Sequence, residues 1–377
     1  MQDFGLNNNI RVGAKLLHVQ TSFSYTTGLI ATSVFEGGKL LQLREYSLPQ
    51  NLVNERYENE VKSFHNDVIS DLEFTWLISK KLDRVDNIAA RKKLGMFFLN
   101  KGMYEDARAQ FLFIRKQSDD KQPCNYELGM ICYHTQDYEQ ALEFLKNAII
   151  DFPRYADVHL LLAKTYFEQK EYKFAVNHLR NAININSRYH EAYFTYALVL
   201  LQSVIDAPNY SRLNKPQERL HEALDYLNQA LSLSPEYDKQ IVEDVLITFN
   251  QPDKLPDAVQ RLRQELDRVL KSRKKNIDDN EFYLKFMFAG LDKDPEAMDL
   301  LIMKIERELI AHPDWADLHY NLGKVYLAKA WYTLAKTTEA FQEALNRNPR
   351  FEIAKTTADQ LTVAGKDLTA LLKKILE

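Results

Sequence analysis

Cys124 and Cys132 are the only two cysteines, and their eight-residue separation fits neither a Cys-x-x-Cys redox pair nor the usual spacing of zinc ligands. Both are expected to pack as small hydrophobes. The nine histidines are scattered, and none belongs to an HExxH helix; His190-Glu191 lacks the second histidine. The segment EGGKL at 36–40 carries glycines and a lysine but no GxxxxGK[ST], so it reads as a hairpin turn rather than a phosphate loop. There is no GxSxG elbow and no Gly-rich dinucleotide fingerprint. Carboxylates lie on solvated helix faces, and no pair stands out for acid–base work. The basic run KSRKK at 271–275 has no interleaved aromatics and suits a helix C-terminus, where the dipole favours cations. No catalytic residue, metal ligand or cofactor is therefore expected, and the chain is not expected to be an enzyme.

Bulk properties narrow the field further. A chain of 377 residues is too long for one ordinary domain core, which implies several domains or an elongated array. Eleven glycines and eleven prolines are few for that length and predict long helices with short turns. The formal charge of -4 provides no basic field for nucleic acid. No stretch approaches about 18 uninterrupted apolar residues, so no membrane span is expected. The opening MQDFGLNNNIRVGAK lacks the charge, apolar run and cleavage site of a secretory signal. A cytoplasmic, thiol-reducing location is the resulting expectation.

The elements themselves repeat. Leu94-Gly95, Leu128-Gly129, Leu162-Ala163 and Tyr196-Ala197 are spaced by 34 residues, and so are Ala107, Ala141 and Ala175. Small residues at these positions let neighbouring helices approach closely. Between the two marker sets lie KGMYED, TQDYEQ and QKEYKF, each with an aromatic: Tyr104, Tyr138 and Tyr172. Pro153, Pro235, Pro313 and Pro349 follow second helices, where proline stops the helix.

These residues resemble the tetratricopeptide repeat (TPR) family, built of 34-residue helix–turn–helix units. The resemblance covers roughly 88–235 and 314–350. It implies a mainly α fold, an α-solenoid of antiparallel helix pairs. The expected organisation is an N-terminal β-meander over 1–50, a connecting or capping helical segment over 51–87, and an array over 88–236 with an insertion near 202–216. Degenerate helical repeats follow over 237–313, then a C-terminal repeat and capping helix over 314–377. In the C-terminal repeat, Leu322-Gly323-Tyr326 and Phe341-Ala344-Pro349 fit the pattern with two extra turn residues. The insertion adds fourteen residues, because Ala223 lies 48 after Ala175.

In this family the first helix of each unit lines a concave binding face. Carried across, the partner-binding groove comprises Lys92, Met96 and Leu99; Tyr126, Met130 and Tyr133; Leu160, Lys164 and Phe167; and Phe194, Leu198 and Leu201. The chaperone-binding subclass clamps a C-terminal carboxylate with cations. Here Lys92 matches, but Met96, Glu127, Asp157 and Leu161 do not, and the acidic pair would repel that ligand. An apolar groove suits a partner helix or peptide segment. The resemblance thus implies a non-catalytic interaction scaffold or adaptor whose partner is a protein.

The front of the chain differs. IRVGAKLLHVQTSF, GLIATSVFE and KLLQLREYSL predict a small antiparallel meander, with Gly37-Gly38 as a hairpin turn. Residues 52–82 predict an amphipathic helix with Val53, Tyr57, Val61, Phe64, Val68, Leu72 and Trp76 on one stripe. That helix either caps the first repeat or occupies the array's own groove. Two other readings stay open: a ligand-sensing or enzymatic subdomain in the β-segment, tethered by the repeats, and a self-assembling homo-oligomer.

Overall fold

The computed structural model describes residues 4–12, 15–47, 57–83, 87–117, 124–209, 212–248, 251–273, 279–288, 290–311, 313 and 316–376. The strands are β1 (Phe4–Val12), β2 (Lys15–Ser24), β3 (Leu29–Glu36) and β4 (Lys39–Ser47). The first helices are α1 (Tyr57–Leu82), α2 (Ile88–Asn100), α3 (Tyr104–Gln117), α4 (Asn125–His134) and α5 (Tyr138–Asp151). They are followed by α6 (Ala156–Glu168), α7 (Tyr172–Ile185), α8 (His190–Asp206), α9 (Pro216–Leu233) and α10 (Gln240–Thr248). The last are α11 (Leu255–Arg273), α12 (Asp279–Phe288), α13 (Pro295–Ala311), α14 (Ala316–Arg347) and α15 (Glu352–Leu376). The chain divides into two units, one of residues 1–97 with 276–377 and one of residues 98–275.

In the first unit the strands form an antiparallel sheet in the order β1-β2-β3-β4. The expected three runs become four strands because the first run is shared between β1 and β2, which pair with Val12 opposite Lys15. Gly37 and Gly38 both have positive φ, 56° and 84°, as a primed two-residue turn requires. Alternation then places Leu17, Val19 and Phe23 of β2 and Ile30 and Val34 of β3 on one buried face.

Helix α1 packs on β1, β2 and β3. Val61, Val68 and Leu72 are buried as the stripe predicts, but Trp76 is 41% exposed, and the row is completed by His65, Asp71, Thr75, Ile78 and Leu82. Val53 lies outside the described residues. His65 and Asp71 enter the buried row because the sheet offers them partners, while Thr75 donates to the Leu72 carbonyl of its own helix. His65 Nδ1 lies 2.8 Å from Thr21 Oγ1, itself 2.7 Å from Thr32 Oγ1, and Arg44 donates to Asp71 at 2.7 Å.

The same unit holds α12 to α15. Here α14 departs from the expected helix–turn–helix: it is one continuous helix of 32 residues. The cause is compositional, since the stretch AKAWYTLAKTTEAF contains no glycine, proline, asparagine or aspartate to halt a helix. Helix α15 returns along α14, and Trp331 Nε1 donates to Thr369 Oγ1 at 2.9 Å.

The second unit contains the repeats. Gly102, Gln136 and Lys170 lie 34 residues apart, and all take positive φ: 74°, 62° and 60°. Each ends a first helix in the same way. The N–H groups of Gly102 and Met103 donate to Leu99 and Phe98, those of Gln136 and Asp137 to Tyr133 and Cys132, and those of Lys170 and Glu171 to Phe167 and Tyr166. This left-handed cap satisfies orphan carbonyls and reverses the chain, so the second helix folds back on the first. Ala107, Ala141 and Ala175 are fully buried where the helices meet.

The insertion lengthens α8 to Asp206 and delays α9 until Pro216; residues 210 and 211 lie outside the described set. The fully buried Arg219 of α9 closes this end. It donates to the carbonyls of Ser203, Ala207 and Pro208 and to the Ser203 hydroxyl.

Candidate protein-binding face

Repeat geometry places α4, α6 and α8 side by side as the first helices of successive pairs, with α5, α7 and α9 behind them. Tyr126, Met130 and Tyr133 of α4 are half-buried and pack against a core of Leu142, Leu145, Val158, Leu161 and Leu162. Burial, with the nearby carboxylates of Asp157, Glu127 and Glu191, pushes the Tyr126 phenol well above its ordinary value. Lys164 is half-buried and paired with Glu191, while Tyr189 donates to Asp157 at 2.6 Å. The acidic residue at 157 that breaks a carboxylate clamp thus serves as an acceptor on the array itself.

Leu160, Phe167, Phe194, Leu198 and Leu201 are buried in one core that also contains Leu255, Ala258, Val259, Leu262, Leu266 and Val269 of α11. Helix α11 packs on α8 and so lies over first helices of the array. Its Arg263 guanidinium stands 4.6 Å from the centroid of the Phe167 ring and 3.5 Å from Glu168 Oε1, both on α6. Leu99 is buried at the end of α2. Within the first unit, Lys92 is exposed and Met96 half-buried. The predicted residues therefore fall into three sets: a half-buried row on α4 and α6, an apolar row beneath α11, and the α2 residues.

Sequence reading placed α11 among degenerate repeats and did not foresee its position. Its signal was present in LPDAVQRLRQELDRVLKSR, whose apolar positions at 255, 258, 259, 262, 266 and 269 make one stripe on an otherwise charged helix. Glu265 anchors α11 further, accepting from Asp238 N–H at 2.6 Å and pairing with Arg268 at 2.7 Å. Burial alone would raise the Glu265 carboxyl; the bonds from Arg268 and Asp238 outweigh that and hold it below its ordinary value.

A histidine pair was also missed. His159 of α6 and His178 of α7 face each other with Nδ1 atoms 3.1 Å apart, and His159 Nε2 lies 3.3 Å from the Pro153 carbonyl. Tyr166 stacks on His178, and Lys146 lies over Tyr166. Burial, then the charges of His159 and Lys146, lower His178 to about 4. Among the described residues no group of three His, Cys, Asp or Glu side chains is placed to hold a metal ion. Neither cysteine is in a disulfide, and among the described residues no helix is long and apolar enough to cross a membrane.

Paired helices, recurrent left-handed caps and small residues at the seams define a helical-repeat protein. Residues 134–193 match the tetratricopeptide repeat family. No curated protein matches the sequence. Among solved structures, a crystal structure of MamA is similar at 19% identity over 48% of this chain and 95% of that one, with a TM-score of 0.34. A MamA structure labelled MSR-1 gives 21% identity over 48% and 97%, with a TM-score of 0.35. TTC0263, a thermophilic TPR protein of Thermus thermophilus, gives 18% over 50% and 98%, also at 0.35.

Proposed function

We propose that this chain is a non-catalytic scaffold, acting in a thiol-reducing cytoplasm, that binds a protein partner on the face formed by the first helices of its repeats. The observation carrying this reading is the α11 contact: an amphipathic helix of the chain itself already lies against α8 and reaches α6. A surface that seats one such helix has the apolar row and charged margin that helix-in-groove recognition uses. The half-buried Tyr126, Met130, Tyr133 and Lys164 extend that row and form its accessible part; Leu160, Phe167, Phe194, Leu198 and Leu201 form its covered part. Lys92, Met96 and Leu99 of α2 are proposed as partner-binding residues on the same family precedent.

Affinity capture tests the reading, comparing wild type with Tyr126→Ala/Met130→Ala after both show equal helical content. Loss of a specific protein from the variant is expected. An unchanged set of captured proteins would contradict the face.

A further inference from the structure

We propose that α11 is an exchangeable occupant of the repeat face, and that the partner this face takes in trans is an amphipathic helix with the same apolar stripe and an arginine at the place of Arg263. The inference rests on the proposed binding role of that face and names its ligand.

Three observations carry it. First, α11 is a one-sided ligand. Leu255, Ala258, Val259, Leu262, Leu266 and Val269 are buried, whereas Asp257, Gln260, Arg261, Gln264, Asp267 and Arg268 are exposed. At about 1.5 Å per residue, a helix of 19 residues spans roughly 28 Å, enough to cross neighbouring repeats. Second, the layer beneath is complete without it. Helix α8 packs on both α7 and α9, and α6 on α5 and α7, so the pair-to-pair stacking does not depend on α11. Third, the contact has a charged latch at its margin as well as an apolar centre. Arg263 lies over Phe167 and beside Glu168, and these two ionic side chains are 41% and 29% exposed. Such a latch sets register and can be altered without placing a charge in the core.

Tethering gives α11 a local concentration in the millimolar range by ordinary linker arithmetic, so a free helix competes poorly against it until the resident contact weakens. Loosening α11 should therefore open the face to a helix added in trans.

The probe is a fluorescein-labelled peptide of residues 255–273, titrated by anisotropy against the full chain in three forms. Wild type is expected to bind weakly. Arg263→Glu loosens only the resident helix and should bind the peptide roughly tenfold more tightly. Glu168→Arg/Arg263→Glu re-forms the resident pair with reversed charges and repels the peptide's arginine, so affinity should fall below that of wild type. Equal peptide affinity in all three, with far-UV circular dichroism unchanged, would overturn the proposal. So would absence of binding to Arg263→Glu. If that occurs while Tyr126→Ala/Met130→Ala still loses its captured protein, the exchange fails and the binding face stands. If the captured proteins also persist, the binding face fails as well.

Discussion

Gly129 and Leu145 meet in close contact within a repeat: a Cβ added at 129 would lie 2.7 Å from Leu145 Cγ and Cδ2. Leu145 is fully buried, so it has little room to yield. The same Leu-Gly pair at 322–323 sits on the continuous helix α14, where nothing lies within 4 Å of an added Cβ. Gly129→Ala should destabilise, because overpacking costs about 1–3 kcal/mol against a gain of about 1 kcal/mol in helix propensity. Gly323→Ala should stabilise by about 0.5–1 kcal/mol. Urea unfolding of the two variants checks the opposite signs.

The repeating cap gives a second pair of predictions. Gln136 has φ 62° where Gly102 has φ 74°. A side chain in this region costs roughly 1–2 kcal/mol, partly offset by the greater unfolded freedom of glycine. Gln136→Gly should therefore raise stability by about 0.5–1 kcal/mol, and Gly102→Ala should lower it. The shift in thermal midpoint reads both.

Much of the array was legible in the sequence because its period is set by local geometry. The small residues at 95, 129 and 163 and the alanines at 107, 141 and 175 report helix contacts that recur at every step. The hairpin at Gly37-Gly38 was legible for a similar reason, since its dihedrals exclude most other residues. The continuity of α14 was harder to see: its marker residues keep the repeat pattern, and only the missing breakers between them forbid the turn. The polar face of α1 was illegible, because His65 and Asp71 are tolerated there only through Thr21 and Arg44, more than 25 residues away in sequence. The docking of α11 is likewise a long-range event, with Arg263 meeting Glu168 across 95 residues.

Arg219 is the most exacting polar contact in the second unit. Its guanidinium is buried, and its Nη1 and Nη2 donate to backbone carbonyls in the last turn of α8 and just beyond it, while Nε has no partner among the described residues. Arg219→Met should cost about 2–4 kcal/mol by leaving those carbonyls without donors. Arg219→Lys should recover little, because an ammonium cannot span the forked set of acceptors. Hydrogen exchange should show loss of protection concentrated at the C-terminal turns of α8.

The histidine pair predicts a pH dependence. His178 titrates at about 4 in the folded chain against an ordinary 6.5, so the unfolded chain takes up its proton first. Its contribution is fully present above about pH 6.5 and is lost as pH falls through the interval down to about 4. His159 is lowered as well, chiefly by burial, and adds in the same direction. Replacing His178 by asparagine should flatten the fall in urea midpoint between these two pH values. An unchanged slope would remove the pair from the acid response.

The binding face itself is tested most directly by site-specific photocrosslinking in cells, with a benzoylphenylalanine placed at Tyr126 on α4 or at the exposed Asn177 on α7. A discrete protein adduct from position 126, absent from position 177, is the predicted result. Adducts from 177 alone, or none from 126 in a chain that folds normally, would contradict the assignment of the first-helix face as the protein-binding surface.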